Sequence, residues 1–190
     1  MKSGRGFTLL ELMVTLAVAA ILIAVGAPAL TSTVRQNRAV SEANNLVSLL
    51  TLARSEAIKR NRQITMCKTA DGTSCSTSPT VKWNEGALIF MDLDCDETLD
   101  TSAVTTDCNG LTIPGQTETV IRSEFPYSKS STIDAVANLA NSLSYQASGL
   151  SNAQAGSFKI KIGPDYRYWR KVVLNLTGRA RVEPCPDANC

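Results

Sequence analysis

The hydrophobic pattern changes twice along the chain. From Phe7 to Leu30 it is apolar on every side, 24 residues with Glu11 as the single ionisable side chain. As a helix rising 1.5 Å per residue this stretch is roughly 36 Å long, enough to cross a bilayer core. From Ala39 the pattern becomes a stripe, with Ala39, Ala43, Leu46, Leu50, Ala53 and Ala57 recurring at steps of four and three. That is the spacing of a helix burying one face. Gly26 and Pro28 lie between the two halves and predict a loosened or kinked helix, because proline removes a backbone donor and crowds the preceding turn. The second half is expected to run to about Arg60. Its other face carries Arg35, Arg38, Arg54, Lys59, Arg60 and Arg62 against Glu42 and Glu56, the composition of a solvated face.

After Asn61 the period shortens. QITMCK, VKWNEGALIF, ETVIRS, SLSYQAS, SFKIKI and WRKVVLNL are short, rich in β-branched and aromatic residues, and set apart by Gly, Pro, Ser, Asn and Asp. They predict strands of a largely antiparallel sheet. One long helix laid on such a sheet is an α+β fold, since no helix alternates with the strands. Residues 69–80 and 96–118 are expected to be long surface loops.

Composition narrows the compartment and the chemistry. About 160 of the 190 residues follow the apolar segment, enough for one domain with its own core. All six cysteines, Cys67, Cys75, Cys95, Cys108, Cys185 and Cys190, lie in that part, which suits an oxidising compartment. Six cysteines allow 15 pairings, and sequence neighbours are the favoured partners: Cys67 with Cys75, Cys95 with Cys108, Cys185 with Cys190. The chain has no histidine. Histidine-based triads and the usual histidine metal sites are thereby excluded, and no Gly-rich phosphate loop precedes a helix. An enzyme is not expected, nor is a cofactor.

Glu11 requires a partner. A carboxylate in a membrane helix costs on the order of 3 kcal/mol on insertion scales, and such residues generally have a function. Removal of the leader MKSGRG after Gly6 would give Phe7 a free α-amino group four residues from Glu11, in the same chain or a neighbour. A short basic leader ending in Gly6, followed by Phe7-Thr8-Leu9-Leu10-Glu11 and an apolar helix, resembles the class III signal of type IV pilins and type II secretion pseudopilins. The resemblance implies cleavage after Gly6 by a prepilin peptidase, N-methylation of Phe7, and a role for Glu11 in docking the subunit into a filament. It divides the chain into a leader (1–6), a membrane and filament-core helix (7–30) and a globular domain (31–190), periplasmic before assembly and at the cell surface in a pilus afterwards.

The middle of the chain narrows the resemblance. Cys67 and Cys75, then Trp83, Gly86 and the run GALIFMDLDCDETLD, then Gly178-Arg179-Ala180-Arg181, are similar to the FimT/GspH minor pilins and pseudopilins. Partners implied are other major and minor pilins, the inner membrane before assembly, and double-stranded DNA. Some relatives of this type bind DNA through such a Gly-Arg-x-Arg during natural transformation. The same family also holds purely structural priming subunits and pseudopilins of type II secretion systems, so both stand beside the DNA reading.

Charge falls into two blocks that the net +2 conceals. From Lys68 to Asp134 eleven acids face four bases, a balance of −7. Within this block Asp92, Asp94, Asp96 and Asp100 mimic the spacing of an EF-hand loop, but Glu97 and Ala103 occupy the positions of its turn glycine and bidentate glutamate. No metal site is expected there. From Phe158 to Arg181 seven bases face Asp165 alone, a balance of +6. Lys159, Lys161, Arg170, Lys171, Arg179 and Arg181 are the candidate phosphate contacts, with Gly178 letting the backbone turn or approach closely.

Overall fold

The structure, a computed structural model, describes residues 7–124, 131–152, 154–188 and 190. Helix α1 runs from Leu9 to Arg60 as one element of 52 residues. At its start the Thr8 hydroxyl accepts from the Glu11 N–H at 3.2 Å, which satisfies one of the otherwise unpaired donors of a helix N-terminus. At its end Asn61 turns into the left-handed region (φ 51°), and its N–H reaches back to the carbonyls of Ala57 and Ile58. Asparagine tolerates that conformation better than most residues, so it stops the helix where the stripe ends. The helical assignment is continuous through Gly26 and Pro28, so the expected loosening does not divide it.

Ten strands are described: β1 (Ile64–Lys68), β2 (Ala87–Met91), β3 (Val104–Thr106), β4 (Thr112–Gln116), β5 (Thr119–Glu124), β6 (Ser131–Ala137), β7 (Ser142–Tyr145), β8 (Gly156–Ile162), β9 (Arg170–Leu174) and β10 (Ala180–Pro184). They form a sheet in the order β5-β2-β1-β7, a second in the order β10-β9-β8-β6, and a separate hairpin β3-β4. Every pairing is antiparallel. The fold is α+β, as the change of period implies.

Three expectations are corrected. Residues 96–118 are not one loop, because β3 and β4 pair within them. TIPGQ carries Pro and Gly, which weaken any strand signal and suit an exposed hairpin. Residues 81–86 do not continue β2, and the peptide turns there with Glu85 N–H donating to Lys82 O at 3.0 Å. Strands β6 and β10 add edges to the second sheet that the sequence pattern does not announce.

The distal half of α1 lies across both sheets. Ala39, Ala43, Ala53 and Ala57 are 0% exposed, and they pack with Leu46 and Leu50 against Ile64, Met66, Leu143, Phe158, Ile160, Val172 and Leu174. Four alanines let the helix approach closely, while the leucines fill the space between. The proximal half has no such cover: Phe7 is 83% exposed, and Leu9, Leu16, Ile21, Ile23 and Val25 are exposed in the same way. One helix therefore has two environments, a folded core and something outside the chain.

Three disulfides join sequence neighbours, Cys67 to Cys75, Cys95 to Cys108 and Cys185 to Cys190. The first closes the 69–74 turn against β1, and the second ties the acidic loop to the end of the β3 segment. The third closes the tail after β10.

Candidate functional site

At the N-terminal end, Phe7 and Glu11 are exposed among exposed apolar neighbours, one helical turn apart. Gly6 and the rest of the leader lie outside the described residues. The segment beginning at Leu9 is long and apolar enough to cross a membrane.

The basic residues of the second sheet divide by strand register. Phe158, Ile160, Val172 and Leu174 face the core, and Ala180 and Val182 pack against its margin. Lys159, Lys161, Lys171 and Arg181, at the alternate positions, therefore face outward. Across the sheet Asp134, Lys159, Lys171 and Glu183 lie in one row, since Asp134 pairs with Lys159, Lys159 with Lys171, and Lys171 with Glu183. Arg170 is in phase with Val172 and Leu174, and its guanidinium donates to the carbonyl of Trp169 at 2.8 Å. Register thus separates Arg170 from the outward-facing bases.

Acids interrupt the basic stripe. Lys161 Nζ meets Asp134 at 2.7 Å and lies over the Trp169 ring at 5.4 Å. Arg167 grips Asp165, whose carboxyl it holds below the usual carboxylate range. Arg181 Nε meets Glu183 Oε1 at 2.5 Å. Lys159, Lys171 and Arg179 have no carboxylate partner among the described residues. Arg179 is exposed, whereas both lysines are half-buried.

The corner before Arg179 is fixed. Gly178 has a φ of 75°, and a Cβ there would collide with the carbonyl oxygen of Gly149 and approach Tyr145 and Arg54. Arg54 of α1 donates to that same Gly149 carbonyl at 2.8 Å. The Arg179 N–H donates to Asn175 Oδ1 at 3.0 Å. Glycine is needed at 178 for its backbone angle and for the close approach, so Arg179 projects from a rigid corner. By sequence Arg54 belongs to a solvated helix face. In the fold its partner lies 95 residues away, and no local pattern signals the contact.

The acidic residues are organised differently. Asp92 is 0% exposed. Its carboxylate accepts from Thr65 Oγ1 (2.6 Å), Gln63 Nε2 (3.1 Å), Cys95 N–H (2.7 Å) and Glu97 N–H (3.2 Å). Burial pushes its carboxyl up despite these donors. Glu118 accepts from the N–H groups of Leu93 (2.7 Å) and Asp100 (2.9 Å). Burial, with Asp92 and Asp94 nearby, pushes it up to about 7. Carboxylate oxygens of Asp92, Asp94 and Glu118 come within 4.8 Å of one another, as do those of Asp94, Asp96 and Asp100. These are the residues that would meet a cation. The hydrogen bonds of Asp92 and Glu118 already make both structural, since they hold a loop in which Cys95 and Glu97 have φ of 65°. The loop is therefore a folded turn around buried carboxylates, where the sequence predicts the start of a long surface loop.

Comparisons with known proteins agree with this geometry. Residues 42–178 match the family model described as type II transport protein GspH, and residues 1–27 match the prokaryotic N-terminal methylation motif. Among solved structures, the type IV minor pilin FimU of Pseudomonas aeruginosa is similar at a TM-score of 0.53 and 20% identity, over 78% of this chain and 90% of that one. A second crystal form of FimU gives 0.50 at 20% identity, covering 76% and 91%. The minor pseudopilin EpsH of the Vibrio cholerae type 2 secretion system gives 0.45 at 14% identity, covering 79% and 99%. No curated protein sequence matches the chain.

Proposed function

Starting from a chain that belongs to the GspH family, whose members are minor pilins and pseudopilins, we propose that this protein is a minor subunit of a type IV pilus, placed near its tip. It is held in the inner membrane by residues 7–30, with its globular domain in the periplasm, until a prepilin peptidase removes the leader after Gly6 and Phe7 is methylated. The subunit then docks on other pilins through the proximal half of α1. The observation that carries this reading is the contrast within one helix. Residues 39–57 bury a stripe in their own domain, whereas residues 7–34 expose their large apolar side chains, Phe7, Leu9, Ile21, Ile23 and Val34 among them. Lipid satisfies that surface before assembly and neighbouring helices satisfy it afterwards. Glu11 within it supplies a polar contact for the amine of an adjacent subunit.

The test is incorporation. With Glu11→Ala in the native cell, the processed subunit should stay in the membrane fraction and fall about tenfold or more in sheared filaments. Equal recovery of variant and native subunit in filaments removes Glu11 from the docking role.

A second activity rests on Arg179. It is exposed, lacks a carboxylate partner among the described residues, and stands on a rigid corner just before β10, four residues along the chain from the register position of the outward row of Lys159 and Lys171. We infer that this edge holds the phosphate backbone of double-stranded DNA for uptake, with Arg181 joining once it exchanges Glu183 for a phosphate. Such binding is salt-sensitive, with a log-log slope of about −0.9 per phosphate contacted.

A further inference from the structure

The loop between β8 and β9 lies at the end of the domain from which the apolar half of α1 emerges. Its 3-10 turn, Tyr166–Tyr168, packs beside α1. Arg167 chiefly holds the Asp165 carboxyl down, and Arg35 of the helix is close enough to add to the effect. The other end of the same sheet, at Gly178, meets Arg54, roughly 28 Å farther along the helix axis. Leu30 closes the apolar stretch, and Arg35 stands about 7.5 Å beyond it along that axis. With residues 7–30 across a bilayer, the loop therefore borders the lipid headgroups, a layer about 5–7 Å deep on each side of the hydrocarbon core.

The loop reads Gly163-Pro164-Asp165-Tyr166-Arg167-Tyr168-Trp169, with three aromatic residues within four positions. No residue of the turn is buried, Tyr166 is 39% exposed and Trp169 is half-buried. None of the three rings stacks on another aromatic ring among the described residues. The donors of the loop are served within it. The Arg167 N–H donates to Asp165 Oδ1 at 3.0 Å, the Tyr168 N–H to the Asp165 carbonyl at 3.2 Å and the Trp169 N–H to the Tyr166 carbonyl at 2.9 Å. The Trp169 indole N–H donates to the Gly163 carbonyl at 3.0 Å. Donors satisfied in this way suit a segment leaving bulk water, where an unpaired one is costly. Charge is nearly balanced at this end, because Asp165, Asp134 and Glu42 answer Arg167, Lys161 and Arg38. Rings with an apolar body and a polar tip are the side chains that settle at a membrane–water boundary.

We propose that this loop is a membrane-interface anchor: Tyr166 and Trp169 enter the headgroup–acyl boundary of the bilayer that residues 7–30 cross, and Arg167 meets the lipid phosphates. It rests on residues 7–30 spanning the membrane and adds a second attachment, made by the globular domain. The Arg167 side chain is 73% exposed while it pairs with Asp165, which leaves part of its guanidinium for a phosphate. Held by one helix alone, the domain can swivel about the exit at Thr31. A second contact one loop away fixes its tilt against the bilayer. Because the charges nearly balance, the rings carry the attachment and lipid charge adjusts it only weakly.

The test uses the full-length chain in phosphatidylcholine vesicles, with and without phosphatidylglycerol. Flotation with the vesicles after a urea wash checks the insertion of residues 7–30 by itself. Lipids brominated high on the acyl chain then quench any tryptophan at the boundary. The chain has two tryptophans, and Trp83 serves as the internal reference because it is 2% exposed in the core. Shallow bromines should remove about a third of the total emission, and bromines near the chain end about half as much or less, since interfacial rings sit at headgroup level. Trp169→Phe should abolish the quenching. Tyr166→Ser, at an exposed position, should cut it about twofold, and it decides the matter should Trp169→Phe fail to fold. Omitting phosphatidylglycerol should change the quenching less than about twofold. A chain that floats with Trp169 unquenched overturns the anchor and leaves the membrane reading intact, whereas a chain that does not float overturns both. Quenching that persists in Trp169→Phe, or that vanishes without phosphatidylglycerol, overturns the ring contact. A blue shift of Trp169 emission that appears only when chains are densely packed, without quenching, assigns the loop to a neighbouring subunit and overturns the proposal as well.

Discussion

Asp92 and Arg179 are both charged side chains in turns beside strands, yet one is closed off and the other is presented. Asp92 has no exposed surface and four donors around it. Arg179 is exposed, and a backbone corner fixed by Gly178, Gly149 and Arg54 supports it. The acidic block as a whole tends towards the first condition, since Glu118 and Asp134 also serve contacts within the chain. The basic sheet tends towards the second, with Lys159, Lys171 and Arg179 left without acids among the described residues. A count of −7 against +6 thus misstates what each region offers to solvent. Charge that organises a turn is closed to a partner, and charge on the outer face of a sheet is open to one where the acids opposite are engaged by other bases, as Asp134 is by Lys161 and Glu183 by Arg181.

The acidic side of that comparison is the easier to break. Asp92→Ala should strand the amide of Gln63 and two backbone N–H groups in a dry interior and leave the Thr65 hydroxyl with Ser144 alone. A loss of about 3–4 kcal/mol is expected, because each buried unsatisfied donor costs about 1–3 kcal/mol and partial relaxation recovers some of it. A urea midpoint shift with an unchanged slope measures it. A loss under about 1 kcal/mol would mean that water reaches these groups and that the turn does not depend on the carboxylate.

Glu118 sharpens the same point through pH. Its folded pKa of about 7 lies above its ordinary 4.5, so the folded state binds the proton more tightly than the unfolded state. Its contribution is complete below about pH 4.5 and is lost as pH rises to about 7. On the order of 2 kcal/mol or more should disappear across that window, since the carboxyl is buried. Glu118→Gln removes the titrating group, so the difference in stability slope between variant and native protein isolates it. Parallel slopes would show that Glu118 is ionised throughout.

What could be read in advance follows the range of the contact. The alanine stripe and the stop at Asn61 are local, and a period of 3.6 residues states them directly. Most of the core strands are equally plain, since β-branched runs such as Ile64–Lys68 and Arg170–Leu174 signal themselves. Strand β10 escapes because Ala180–Pro184 contains two charges and a proline, and only its neighbour β9 makes it a strand. The candidate phosphate contacts show the same limit. Their residue types are legible, but the division of Lys161, Arg170 and Arg181 from Lys159 and Lys171 arises from Asp134, from strand phase and from Glu183. Those partners are fixed by pairings across the sheet, which composition does not encode.

The smallest predicted effect tests whether register controls what the basic edge can bind. Arg181 is engaged by Glu183, and Glu183 stands opposite Lys171. Neutralising that acid should therefore release Arg181 and remove a negative charge opposite Lys171, without adding a base. For the full-length chain in micelles, Glu183→Gln should raise duplex DNA affinity about threefold at low salt and steepen the log-log salt slope by about 0.9 for every additional phosphate held. Arg179→Ala should move the slope the other way by one phosphate, because it removes a base that no acid restrains. If Glu183→Gln leaves both affinity and slope unchanged while Arg179→Ala still weakens binding, Arg181 has no part in the interface, and the corner at Gly178 rather than the sheet presents the charge. If neither substitution alters binding, the unpaired bases of this sheet face a neighbouring subunit, and the contrast with the acidic turn is one of assembly instead of DNA capture.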